Sequence, residues 1–385
     1  MRRDLHASAE IGLHLPRTQA LVTGALANTG LELTLGRELS SVVGVLRGAR
    51  AGAEPTPAVL LRADMDALPV TEETGEDFAA PPGVMHACGH DLHTAGLVGA
   101  AVLLSGRRAE LPGDVVFMFQ PGEEGDDGAA AMVAEGVLDA AGPRVAAAYG
   151  LHVFSGLLPR GTFATRGGPL MAASSALEVT VHGVGGHASR PHNAADPIVV
   201  AAEIVVALQT IVTRQFDVFD PVVVTVGMFR GGTRGNVISD AADLEGTLRA
   251  FSQESLARLQ ERVVRLCTQL AAAHGLTADV TFTSGYPVTV NDAEHADFAL
   301  EVAGSQFGPD RAVRLPDPIM GSEDFSRVLA EVPGAFVFLG AGFGDPATAP
   351  MNHSAQARFD DSLLPDAARL LAELAWQRLE TLSSG

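Results

Sequence analysis

Three short segments concentrate the side chains able to do chemistry. The densest is Met85-His86-Ala87-Cys88-Gly89-His90-Asp91-Leu92-His93-Thr94, a thiol, three imidazoles and a carboxylate in a turn leading into a helical pattern. Thiolate and neutral imidazole are ligands for zinc and similar transition metals. The second, Gln120-Pro121-Gly122-Glu123-Glu124-Gly125-Asp126-Asp127, directly follows an apolar run ending at Phe119. Successive side chains diverge, so one glutamate can ligate a cation while its neighbour stays free to take a proton from water. Asp126 and Asp127 read equally as a solvated turn. The third, Arg62-Ala63-Asp64-Met65-Asp66-Ala67-Leu68-Pro69, sets Asp64 and Asp66 two apart on extended chain and so facing one side. A carboxylate there could orient a ligating imidazole, or simply cap the turn before Pro69. His152 and His353, taken singly, each read as hydrogen-bonded structural histidines.

These segments need a scaffold, and the pattern around them describes one. Ala58 to Arg62, Val115 to Phe119 and Ala146 to Val153 are short β-rich runs, separated by helical patterns over Leu92 to Leu104 and Ala129 to Leu138. Apolar strands alternating with helices predict an α/β fold, a mixed, mostly parallel sheet flanked by helices on both faces. The middle differs. Ala176 to Val184, Pro221 to Met228, Ala242 to Phe251 and Ala278 to Thr283 read as strands, with helices over Pro197 to Val212 and Glu254 to His274. That β-α-β-β-α-β order predicts an inserted α+β, ferredoxin-like module at 174–285. The larger domain is then discontinuous, 1–173 and 286–385, with later helices near Ala293 to Gln306 and Leu363 to Leu382. A chain of 385 residues fits two domains better than one core.

Composition excludes several partners. The formal net charge is −20, and all 26 basic residues are arginine. Such a surface repels phosphate backbones and anionic lipid heads, so neither nucleic acid nor a membrane surface is expected. A substrate carboxylate would need its own local arginine. The first residues turn polar at once, no apolar stretch is expected to reach the roughly 18 to 20 residues of a membrane span, and the default compartment is the cytoplasm. Of the two cysteines, Cys267 sits in an amphipathic pattern and reads as buried and inert; a disulfide to Cys88 stays open.

Taken together, the motifs resemble the M20 metallopeptidase and aminoacylase superfamily, in the amidohydrolase branch with hippurate, N-acyl-amino-acid and indole-acetyl-amino-acid hydrolases. They run in family order: Arg2 to His6, Arg62 to Pro69, Cys88-Gly89-His90-Asp91, Glu123-Glu124, Gly150-Leu151-His152, Gly185-Gly186-His187-Ala188-Ser189, Asn236-Val237-Ile238, Gly321 to Phe325 and Asn352-His353-Ser354. The resemblance implies two divalent metals per subunit (Zn, Mn, Co or Ni) held by Cys88, His90, Glu124, His152 and His353. Glu123 would be the general base, His187 would steady the oxyanion, and Asn236 and Arg249 would bind substrate, with Asp66 and Asp91 behind the ligands. The inserted module would be a lid and dimerisation domain, giving a homodimer. The implied reaction is metal-dependent hydrolysis of the amide of N-acyl amino acids. A dipeptidase, carboxypeptidase or N-acetyl-diaminopimelate deacetylase on the same scaffold is the alternative, and a non-catalytic metal-binding protein is a more distant one. The His-x-Asp that opens the metal site in many members is replaced here by Asp64-Met65-Asp66.

Overall fold

A computed structural model describes residues 1–50 and 56–384. The chain divides into two compact units: Met1–Leu170 with Val290–Asp317 and Asp324–Gly385, and Met171–Thr289 with Pro318–Glu323. The second unit starts three residues earlier than the expected module, ends four later, and takes in a short segment that the sequence pattern leaves in the outer domain.

The first unit is built on an eight-stranded mixed sheet. Its order is Glu32–Leu35, Val42–Leu46, Asp114–Gln120, Ala58–Asp64, Ala147–Phe154, Gly334–Gly340, Phe163–Thr165 and Ala312–Arg314. The four strands from Asp114–Gln120 to Gly334–Gly340 are mutually parallel. Every residue in them is buried. That explains their unbroken apolar runs, such as Val59-Leu60-Leu61 and Phe336-Val337-Phe338-Leu339, because a strand covered on both faces has no polar side. Helices His90–Ser105 and Leu364–Ser384 pack on each other and on this sheet. Their close approach relies on small residues. A Cβ on Gly99 would stand 2.7 Å from that of Ala368.

The second unit is a four-stranded antiparallel sheet in the order Val222–Gly231, Ala241–Ala250, Ala173–His182, Thr277–Ser284. Helices Pro197–Gln215 and Gln253–Ala273 complete the β-α-β-β-α-β order. Ala173–His182 alternates buried and accessible residues, as a strand covered on one face must. Val200, Ile204, Leu208 and Ile211 from one helix and Leu259, Val263 and Cys267 from the other fill the core. Asp196 and Ser252 cap the helices by accepting from the N–H of Ile198 and Ser255.

One expectation is corrected here. Pro197–Gln215 is long and apolar enough to cross a membrane by length and composition. In this fold its buried stripe faces the sheet core instead, while Val199 and Val206 stand exposed. Both cysteines are free and buried, and burial pushes the Cys267 thiol up to about 12.

Candidate metal centre

The parallel strands place the chemistry. Asp64, Gln120, Phe154 and Gly340 are their last residues, so the segments carrying Asp66, Glu123-Glu124 and His152 gather at one edge of the sheet. Helix His90–Ser105 starts there too, bringing Cys88 and His90. The crevice beyond the carboxyl ends of parallel strands is where α/β sheets hold ligands.

Five donors converge at that edge. Cys88 Sγ lies 3.4 Å from His152 Nε2, and His353 Nε2 lies 3.4 Å from Glu124 Oε1. His90 Nε2 is 3.9 Å from Glu124 Oε1 and 4.0 Å from Glu123 Oε2. The ligand atoms form overlapping triads, Cys88–His90–His152, Cys88–Glu124–His353 and His90–Glu123–Glu124, each within 4.8 Å. Glu124 thus shares a triad with Cys88 and His353, whereas Glu123 meets only His90 and Glu124 among these donors. That asymmetry distinguishes Glu124, which shares a triad with a thiol and a second imidazole, from Glu123.

The donor atoms fit cations. His90 Nδ1 stands 2.9 Å from the carbonyl oxygen of Asp66, which can only accept, so the proton sits on Nδ1 and Nε2 keeps its lone pair. His90 Nε2 and Glu124 Oε1 are both buried without a hydrogen-bond partner among the described residues. Burial disfavours a charged His90, yet Asp64 and the neighbouring acceptors raise its pKa well above the ordinary value. His353 is likewise pushed up, to about 10, by Cys88 and Glu124. Burial, then His93, holds His152 well below its usual value, leaving a neutral ring suited to ligation.

Asp66 ties the centre down. Its Oδ1 accepts from the Glu123 N–H at 2.9 Å and its Oδ2 from the Glu124 N–H at 3.0 Å. Behind it, Arg62 donates to Asp64 at 2.7 Å, to Gln120 at 2.9 Å and to Asp324 at 2.8 Å, all buried. Burial alone would raise Asp64, but Arg62, His90 and His93 hold it well below the usual carboxylate range. Asp91 differs from its expected place behind the ligands. It meets Arg2 Nε and His6 Nδ1, each at 2.8 Å, and so anchors the first helix, Arg2–Ala7. The structural cause is its position at the helix start, where its side chain reaches Arg2 and His6 of that first helix. His86, in the same motif, is buried with both ring nitrogens unpartnered among the described residues, and burial lowers its pKa to about 4.

The second unit carries the remaining predicted residues. His187 is exposed on the short strand Gly186–His187, which pairs with Val237–Ile238 beside Asn236. Its Nδ1 accepts from the Ser189 N–H at 3.2 Å, so its proton lies on Nε2, a free donor. Arg249, half-buried on Ala241–Ala250, donates to Ser322 Oγ at 2.8 Å and pairs with no carboxylate among the described residues. Burial lowers its pKa.

Comparison with known proteins decides the affiliation. The family model described as peptidase family M20/M25/M40 matches residues 60–377. The chain belongs to this family. Among curated relatives, the IAA-amino acid hydrolase ILR1-like 4 of Arabidopsis thaliana is 39% identical over 391 residues, covering all of this chain and 86% of the relative. The thermostable carboxypeptidase 2 of Saccharolobus solfataricus is 37% identical over 97% of this chain and 93% of its own. Among solved structures, the Bacillus subtilis YXEP protein, a dinuclear metal binding peptidase from the M20 family, superposes with a TM-score of 0.82. It is 33% identical, over 99% of this chain and 97% of that one.

Family membership makes the chain a hydrolase, and the donor clusters suit two divalent metals. Sequence reasoning named no role for Arg62, Gln120, Asp324, His93 or Asn352. Asn352 donates from Nδ2 to the carbonyl oxygens of Val153 at 3.0 Å and Cys88 at 3.3 Å. Its place beside His353 is the one signal that could have singled it out.

Proposed function

We propose that this enzyme hydrolyses the amide bond of N-acylated amino acids to a carboxylic acid and a free amino acid. The observation that carries the reading is the carboxylate of Glu123, 4.0 Å from His90 Nε2, beside a five-donor cluster. Cys88, His90, Glu124, His152 and His353 would hold two divalent cations. Bound there, they would polarise the amide carbonyl and make the attacking water acidic enough to lose a proton near neutral pH. Glu123 takes that proton and returns it to the amine nitrogen as the C–N bond breaks and the new C–O bond remains. His187 offers its Nε2–H to the oxyanion, and Asn236 holds the substrate beside it. Arg249, with no carboxylate partner among the described residues, pairs with that of the substrate, for which a planar guanidinium is better matched than an ammonium. Thiolate and imidazole favour Zn, Co or Ni, while the carboxylate also admits Mn.

A carboxypeptidase substrate also presents a carboxylate beside its scissile amide, and the carboxypeptidase relative keeps that second reading open. Amino-acid release from N-acetyl, N-benzoyl and dipeptide substrates separates the two. Glu123→Ala should lower kcat by about 10² to 10⁴-fold while metal content stays at the parent level; a variant keeping most of its activity would refute the assignment. Arg249→Lys should raise KM more than it lowers kcat, and an unchanged KM would count against a carboxylate partner. The exposed Val199 and Val206 on Pro197–Gln215 support a homodimer formed through the second unit.

A further inference from the structure

Helix His90–Ser105 carries a second buried imidazole, His93, to which the reaction gives no part. Both of its ring nitrogens are engaged. Nε2 stands 2.7 Å from the backbone nitrogen of Val153, and a backbone N–H can only donate, so Nε2 is the unprotonated acceptor. The proton therefore lies on Nδ1, which donates to Asp64 Oδ1 at 2.6 Å. Protonating Nε2, or binding a cation there, would break the bond to Val153. The ring is a neutral strut.

What it holds is the residue after His152. Strand Ala147–Phe154 pairs with Ala58–Asp64 only as far as Gly150 opposite Arg62, while its pairing with Gly334–Gly340 runs on to Phe154. Val153 thus lies past the end of one ladder. There, side chains supply the missing partners: His93 takes its N–H, and Asn352, next to His353, donates to its carbonyl. From a third side, a Cβ on Gly89, between Cys88 and His90, would fall 2.4 Å from Val153 Cγ2. Segments bearing the other ligands grip this one residue from three directions.

We infer that His93 is a positioning residue: the Asp64–His93–Val153 line sets the His152 imidazole opposite the Cys88 thiol, and His93 is not itself a ligand. The inference rests on the ligand set proposed above. Glutamine can replace both functions of the ring, accepting through its oxygen and donating through its N–H; leucine replaces neither. Metal-free parent, His93→Gln and His93→Leu would be titrated with cobalt(II), reading stoichiometry and the thiolate-to-cobalt absorption that reports Cys88. The parent and both variants should take up two equivalents, with affinity about 10- to 100-fold weaker and an altered band in His93→Leu. His93→Gln should recover most of that loss. A His93→Leu titration matching the parent would overturn the inference. So would loss of one equivalent in both variants, which would make His93 a ligand. A parent binding no cobalt would overturn the ligand set and this inference with it. Should His93→Leu not fold, ¹⁵N-histidine NMR of the parent decides. His93 should remain in its neutral Nδ1–H form with and without zinc, and a metallated Nε2 would overturn the proposal.

Discussion

Replacing Asp66 by asparagine alters one acceptor at the point where the Glu123-Glu124 turn is tied down. The native carboxylate accepts two backbone N–H groups, at 2.9 and 3.0 Å. Asparagine keeps one oxygen for one of them and turns an NH₂ towards the other, donor against donor. A hydrogen bond to a charged acceptor contributes about 1.5–3 kcal/mol. With tenfold in affinity equal to about 1.4 kcal/mol, a loss carried wholly by the metal-bound state weakens binding on the order of 10- to 100-fold. If the turn relaxes without metal as well, part of the same energy appears as reduced folding stability. Both quantities are therefore measured on Asp66→Asn: metal affinity by competition with a chelating indicator, and stability of the metal-free protein by urea denaturation. The two losses should together reach about 1.5–3 kcal/mol. A combined loss below about 0.5 kcal/mol, the size of an ordinary surface change, would show that Asp66 does not hold the turn.

Three further outcomes follow from the same geometry. Gly89 has φ of 83° and faces Val153 Cγ2, so Gly89→Ala should cost about 2–5 kcal/mol from left-handed strain and overpacking together; a loss under about 1 kcal/mol in urea denaturation would contradict this. His6 lies between Asp91 at 2.8 Å and Glu72 at 3.0 Å. Burial works against its charge, but Asp91 first and then Glu72 raise its pKa above the ordinary value. Its contribution is therefore full below the unfolded value of about 6.5 and fades as pH rises through the raised folded one. The stability gap between parent and His6→Gln should narrow as pH rises above about 6.5 and through the raised folded value, and a constant gap would refute the charged pairing. Val206→Arg should leave a monomer where sedimentation of the parent at micromolar concentration shows a dimer; a monomeric parent would end the dimer proposal.

Much of this was legible in one dimension. Cys88, His90 and Glu123-Glu124 stand out because chemically potent residue types crowd into short segments next to apolar strands. The inserted module is readable because its strands alternate while those of the outer sheet do not. Asp91 was misplaced for a related reason: adjacency to His90 in the chain says nothing about which way a side chain leaves the first turn of a helix. The central strand Gly334–Gly340 was not anticipated, since a short apolar run carries no periodicity that distinguishes strand from buried helix. The apolar character of Pro197–Gln215 was also underestimated, because its scattered polar residues break the run without making the window polar.

His152 and His353 were raised as ligands only by the family resemblance, whereas residue types and local spacing alone supplied the α/β class, the insertion and the clusters of thiol, imidazole and carboxylate at 85–94 and 120–127. These depend on periodicity and composition, which a linear chain carries in full. Tertiary structure decided which nitrogen of His90 is free, that Asp66 grips the glutamate turn through its carboxylate and His90 through its carbonyl, and that Val153 is gripped by His93 and Asn352. Hydrogen bonds act over about 3 Å, and the pairs involved lie from 24 to 199 residues apart in sequence. Only the folded sheet edge brings such distant atoms within that range.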